Sequence, residues 1–70
     1  MNELIRTETI AQNIRRLRTQ RHLSQVELGD MLGYSVRQIR RLETDGTCSL
    51  DVVNRIALAF EVSTLSILLR

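Results

Sequence analysis

One pattern recurs four times in this 70-residue chain: an apolar residue, a serine, and another apolar residue four positions after the serine. Leu23-Ser24 is followed by Leu28, Tyr34-Ser35 by Ile39, Cys48-Ser49 by Val53, and Val62-Ser63 by Ile67. A serine at a helix N-cap accepts a hydrogen bond from an otherwise unpaired N–H of the first turn. The apolar residue before it packs on the fourth helical residue and sets the angle of entry. Glu27 and Gln38 stand three residues after Ser24 and Ser35, where their side chains can reach back to the cap N–H and complete a capping box. Thr9 with Gln12 is a further start signal of the same kind.

These signals predict helices near 9–21, 25–32, 36–44, 50–60 and 64–69. The first carries Ile10, Ile14 and Leu17 on one side, and the second Leu28, Met31 and Leu32. The third offers only Ile39 and Leu42, and the fourth Leu50, Val53, Ile56, Ala57 and Phe60. Gly33 and Gly46 fall where helices two and three stop and are expected as left-handed C-caps. With no proline and three glycines, the fold class is all-α. The length allows one domain, read as an N-terminal arm over residues 1–8 and a helical domain over 9–70.

Several function classes are set aside by what the sequence lacks. Cys48 is the only cysteine, so no disulfide staples the chain, which fits a reducing compartment. The first residues do not have a signal-peptide profile. The longest clean apolar run, Ile56 to Phe60, is too short for a bilayer. The expectation is a cytoplasmic protein with no membrane partner. His22 has no Cys or His partner at ligand spacing, and Cys48 has no base near it in sequence and reads as a small, partly buried side chain. With neither a nucleophile–base arrangement nor a phosphate-cradling glycine loop, the chain is read as no enzyme, with no cofactor and no metal.

The charge has a direction. All ten basic residues are arginine, and residues 1–44 hold eight of them against five acids, whereas residues 45–70 hold two against three. The excess coincides with Gln25–Thr44, two short helices joined at Gly33. The third helix has a narrow apolar stripe and carries Val36, Arg37, Gln38, Arg40 and Arg41 mostly off it. A DNA major groove admits such a helix. Arginine matches guanine O6 and N7, glutamine matches adenine N6 and N7, and valine can touch a thymine methyl.

From Ile10 to Leu68 the chain resembles the phage repressor and Cro type of helix-turn-helix domain, the Xre family. The likeness rests on Ile10-Ala-Gln-Asn-Ile14-Arg-Arg-Leu17-Arg18, Leu23-Ser24-Gln25, Leu28, Leu32-Gly33, Ser35, Ile39, Leu42-Glu43, Ser49-Leu50, Ile56-Ala57 and Val62-Ser63. It implies a five-helix, lambda-repressor-like bundle with the helix-turn-helix at helices two and three. By the same resemblance, Gln25 meets a phosphate at the start of helix two. Ser35, Val36, Arg37, Gln38 and Arg41 face bases or flanking phosphates, and Thr44 and the loop after it touch the backbone. Arg18 and Glu43 match a partly buried ion pair. The chain departs from the pattern at three places. His22 stands where the turn usually carries glycine, so that turn is expected to differ. Gly29 replaces the usual alanine, both being small enough for the helices to touch. The loop Asp45-Gly46-Thr47-Cys48 lacks basic residues, leaving backbone N–H groups and Thr47 for any phosphate contact.

Plainer roles compete for some residues. Arg15, Arg16 and Arg21 read as a solvated face, with the Arg21 stem able to lie over the core. Arg40 is divided between phosphate and solvent, and Gln38 between capping and base readout. Tyr34 reads as a staple. Leu65, Ile67, Leu68 and Leu69 crowd one short helix and suggest a partner surface, either a homodimer interface, where relatives dimerise, or partly core. The function implied is a regulator, a repressor by preference, that binds double-stranded DNA at a pseudo-palindromic operator as a homodimer. A restriction–modification controller is a variant of it. The alternatives are an antitoxin or other module that holds a protein partner, or the DNA-binding half of a longer chain.

Overall fold

Five helices follow one another in the computed structural model, which describes residues 5–69: α1 (Thr7–Gln20), α2 (Gln25–Leu32), α3 (Val36–Asp45), α4 (Leu50–Phe60) and α5 (Leu65–Leu68). α1 packs on α3 and α5, α2 lies against α3 and α4, and α4 closes on α5. The interior is Ile10, Ile14, Leu17, Leu28, Ile39, Leu42, Val53, Ile56, Ala57, Phe60, Ile67 and Leu68, with Leu23, Leu32, Tyr34, Val52 and Val62 packed around it. Every helix therefore contributes to one core. Each fully buried aliphatic or aromatic side chain there contributes about 1.5–3 kcal/mol.

The serine caps form as the spacing predicts. Ser24 and Ser35 each make a complete capping box. Ser49 accepts from the Val52 N–H at 3.3 Å. Ser63 accepts from the Ser66 N–H at 3.3 Å, but α5 starts one residue later than expected, with Thr64 at its cap position and no side-chain cap bond. In the first box the Ser24 backbone and hydroxyl hold the Glu27 carboxyl below its ordinary pKa. α1 departs from expectation. It begins at Thr7 with Arg6 as its cap and no side-chain cap bond, so Thr9 is already inside the first turn and its box with Gln12 does not form. Residues 7 and 8 of the expected arm are therefore helical, and residues 1–4 lie outside the described residues.

Helix ends are closed in three ways. Gly33 takes the left-handed conformation, φ 76° and ψ 28°. Gly46 also has positive φ, 73°, but its ψ of −156° is not the expected left-handed cap. The third way uses non-glycine residues. His22 and Glu61 both sit at φ 57°. The turn after α1 thus adopts the geometry glycine would give, with Leu23 N–H bonded to the Arg18 carbonyl at 3.2 Å, rather than a different one. Left-handed backbone costs an L-residue about 1–2 kcal/mol, part of which glycine returns through unfolded-state entropy. His22→Gly should accordingly stabilise the domain by about 0.5–1 kcal/mol and raise Tm by a few degrees. A lower Tm in a thermal melt would show that the imidazole makes a contact worth more than the strain.

α5 has four residues, too few to be stable alone. It is held by Asn13, a buried polar residue among the apolar positions of α1. The Asn13 amide donates to the carbonyls of Ile67 at 2.8 Å and Leu69 at 2.9 Å, and its oxygen accepts from Arg16 at 3.2 Å. Burial also corrects several sequence expectations. Met31 and Leu50 are exposed rather than core, and Cys48 is exposed rather than partly buried. Met31 and Leu50 lie on their helices away from the core, and Cys48 lies in the loop between α3 and α4.

Candidate nucleic-acid interface

The geometry of α3 begins with its anchors. Ile39 is fully buried and Leu42 nearly so, which fixes the rotation of the helix about its axis. Successive residues turn by about 100°. Arg37 and Arg41 therefore point about 160° away from Ile39, while Gln38 and Arg40 flank them at about 100° on either side. Arg37 and Arg41 are one turn apart on the outward face, Arg37 opposite the core and Arg41 toward one edge, about 100° from Leu42. Both are exposed, and among the described residues neither has an ion-pair or hydrogen-bonding side-chain partner.

The turn before α3 holds it close to α2. Tyr34 N–H donates to the Gly29 carbonyl at 2.8 Å. A Cβ built on Gly29 would lie 2.5 Å from the Tyr34 carbonyl oxygen. This approach is closer than alanine permits without movement of the turn, so glycine and alanine are not equivalent here. Tyr34 is partly buried against the core, as a staple should be. Ser35 Oγ accepts from the Gln38 N–H at 3.1 Å, and Gln38 Oε1 accepts from the Ser35 N–H at 2.7 Å. Of the two roles open to Gln38, capping is present in the free protein.

A polar network ties α1, α2 and α3 together on the side of Glu43. Arg18 Nε and Nη2 donate to the two Glu43 oxygens at 2.5 and 3.0 Å, and Nη1 donates to the Leu23 carbonyl at 2.8 Å. The bonds to Glu43 raise the Arg18 pKa further above its already high value. Glu43 Oε1 also accepts from Gln25 Nε2 at 3.2 Å, and Gln25 Oε1 accepts from Arg40 Nε at 3.4 Å. Arg40 is exposed and linked to the start of α2 through Gln25. The Gln25 side chain is oriented by the same pair that locks α1 to α3.

Arg15, Arg18, Gln25, Arg40, Glu43 and Thr44 line one polar cleft beside the start of α2. Three arginines face a single carboxylate there. Of the arginines read as a solvated face, only Arg15 lacks a protein partner among those described, and it borders this cleft. Arg16 bonds Asn13. Arg21 donates to the Phe60 carbonyl at 2.5 Å and stacks over the Phe60 ring at 4.9 Å, closing the C-terminus of α4. The pattern could have suggested Asn13, since it breaks an apolar stripe; nothing local signals the partner of Arg21. The Thr47 hydroxyl oxygen accepts from the Ser49 N–H at 3.1 Å.

The proposed partner surface narrows. Ile67 and Leu68 are 0% and 7% exposed and belong to the monomer core. Leu65 at 61% and Leu69 at 39% remain open, beside a groove lined also by Leu17 and Val62. A second apolar surface lies elsewhere, where Met31 and Leu58 stand exposed around Leu32 and Ala59.

Residues 14–67 match the helix-turn-helix family HTH_3. Among solved structures the chain is similar to the hypothetical transcription factor NHTF from Neisseria. The TM-score is 0.82 at 25% identity, over 96% of this chain and 76% of that one. It is similar in fold to the restriction-modification controller protein C.AhdI from Aeromonas hydrophila, with TM-score 0.78 at 24% identity over 87% and 94% of the two chains. It shares a fold also with an HTH_3 family transcriptional regulator from Vibrio cholerae, with TM-score 0.77 at 22% identity. That likeness covers 87% of this chain but 35% of the other. No curated protein matches it in sequence.

Proposed function

The chain belongs to the helix-turn-helix family HTH_3, and from that premise we propose that it is a non-enzymatic, sequence-specific DNA-binding regulator of transcription. It lays α3 in the major groove. The observation that carries this reading is the pair Arg37 and Arg41, one turn apart and exposed on the outward face of α3, while Ile39 and Leu42 hold the helix in the core. Ser35 and Val36 enter at the same end. Arg15, Gln25, Arg40 and Thr44 border the cleft on one flank and suit the phosphate backbone, as does the N-terminus of α2.

Arg37→Ala and Arg41→Ala should each weaken binding by about 1–3 kcal/mol and relax preference at one base step. A fluorescence-anisotropy titration on the preferred duplex measures the first effect, and a panel of single-base variants the second. Sequence preference that survives the double substitution rules out α3 as the reading helix. The wild-type affinity should fall steeply with salt as neutralised phosphates release counterions.

The finer reading is a repressor that occupies a pseudo-palindromic operator as a homodimer, with Leu65 and Leu69 at the two-fold contact. Two half-sites roughly one helical turn, about 10 bp, apart would match that symmetry. Sedimentation velocity should then show a dimer that Leu65→Glu dissociates; an unchanged sedimentation coefficient removes α5 from the interface. A second reading, an antitoxin or similar module that holds a protein partner, is favoured by the separate exposed surface at Met31 and Leu58, the latter 80% exposed. Copurification of a second chain, lost on Leu58→Glu, would support it.

A further inference from the structure

The box that starts α3 restricts what its outward face can recognise. Gln38 Oε1 is turned back onto the Ser35 N–H at 2.7 Å, leaving Nε2 as the part of the amide without a protein partner among the described residues. The bidentate match of glutamine to adenine needs both atoms along the base edge, the oxygen accepting from N6 and the nitrogen donating to N7. While the box is closed, Oε1 and Nε2 cannot both face a base. Gln38 also stands on the flank of α3, about 100° from the Ile39 direction, and not at its outward centre.

The other side chains on that face tell the same way. Arg37 and Arg41 are donors only. Arg40 is bonded to Gln25, and Val36 brings only apolar surface. Thr44 and Asp45 carry acceptors, but at the C-terminal end of α3, whereas base contacts come from the N-terminal residues of a recognition helix. The long side chains of the reading surface are therefore donors, and its two nearby acceptors, Ser35 Oγ and Gln38 Oε1, are both engaged in the capping box.

Resting on the assignment of α3 to the major groove, we infer that the half-site is read through base acceptors: guanines opposite Arg37 and Arg41, and no adenine read by Gln38. Guanine offers both O6 and N7 to one arginine. Arg37 and Arg41 are separated by roughly 6 Å along the helix, which spans about two base-pair steps at ~3.4 Å each. Gln38 uses Nε2 as a donor to a phosphate, and so adds affinity without base preference.

Selection from random-sequence duplexes with the 70-residue chain tests this, using wild type, Arg37→Ala, Arg41→Ala, Gln38→Ala and Gln38→Glu. Gln38→Glu keeps an acceptor for the Ser35 N–H and removes the donor, so it retains the box where Gln38→Ala loses it. The expected wild-type motif has two G·C pairs about two steps apart in each half-site. Arg37→Ala and Arg41→Ala should each lower preference at one of them on the order of 10-fold to 100-fold. Both Gln38 variants should bind more weakly to every sequence with the motif unchanged. An adenine preference that disappears in both Gln38 variants overturns the inference and leaves the DNA-binding reading intact. If no sequence is enriched, or no motif position responds to the arginine variants, the recognition-helix reading fails and this inference falls with it.

Discussion

Glu43→Ala is expected to destabilise the domain by about 3–5 kcal/mol, the cost of leaving a buried charge without its partner. The pair is well enclosed, with side-chain exposures of 13% for Arg18 and 5% for Glu43. Alanine would strand the Arg18 guanidinium among α1, α2 and α3 with only the Leu23 carbonyl to accept from it. A domain this small has a total stability of several kcal/mol, so a large fraction of the variant should be unfolded at ambient temperature. Urea denaturation followed by circular dichroism measures the loss. The double variant Arg18→Met, Glu43→Leu should recover much of it, because replacing both charges with apolar groups removes the unpaired ion. It should not restore DNA affinity, since Gln25, to which Arg40 is bonded, would lose the carboxylate that orients it. A loss under 1 kcal/mol for Glu43→Ala would mean that water reaches the pair and that it behaves as a surface salt bridge.

Gly46→Ala is expected to be nearly as damaging, for steric reasons. A Cβ at this position would lie 2.1 Å from the Thr7 carbonyl oxygen and 2.9 Å from its carbonyl carbon. Those atoms are backbone at the first turn of α1 and cannot rotate away. The conformation, φ 73° and ψ −156°, is itself nearly closed to L-residues. Strain and overpacking, at about 1–3 kcal/mol each, together reach on the order of 3 kcal/mol. Gly33→Ala is the control. Gly33 also has positive φ, but nothing lies within 4 Å of its Cβ position, so only the backbone cost of about 1–2 kcal/mol applies. Matched urea melts should therefore rank Gly46→Ala well below Gly33→Ala. Equal losses would show that the loop after α3 does not press on the start of α1 in solution.

Both predictions concern contacts that hold α3 rather than its outward side chains, and they separate what could be seen in the chain from what could not. Ser24, Ser35 and Ser49 mark helix starts because a cap bond spans only three residues. α1 is the instructive failure. Thr9 and Gln12 have the right spacing, yet the helix runs back to Thr7, where Gly46 meets it from the far end of α3. The outward direction of Arg37 and Arg41 was legible for the same local reason as the caps, given Ile39 and Leu42 on the opposite face. The Arg18–Glu43 pair, 25 residues apart, has no local signature and was visible only through family resemblance.

Burial divided the rest. Met31, Leu50, Leu65 and Leu69 are as apolar as Leu28, Val53, Ile67 and Leu68, but the first four are exposed and the last four buried. Apolar character says that a side chain prefers to leave water; it does not say which neighbour will cover it. The sequence by itself determined five helices, the serine caps of α2, α3 and α4, and the basic face of the third, because periodicity and capping act within a turn or two of helix. The tertiary structure alone decided which arginines were occupied by protein partners, that a Cβ at Gly29 or Gly46 would press on neighbouring backbone, and which leucines stay exposed. Each of these depends on the distance between segments remote in the chain, which the packing of the whole core sets.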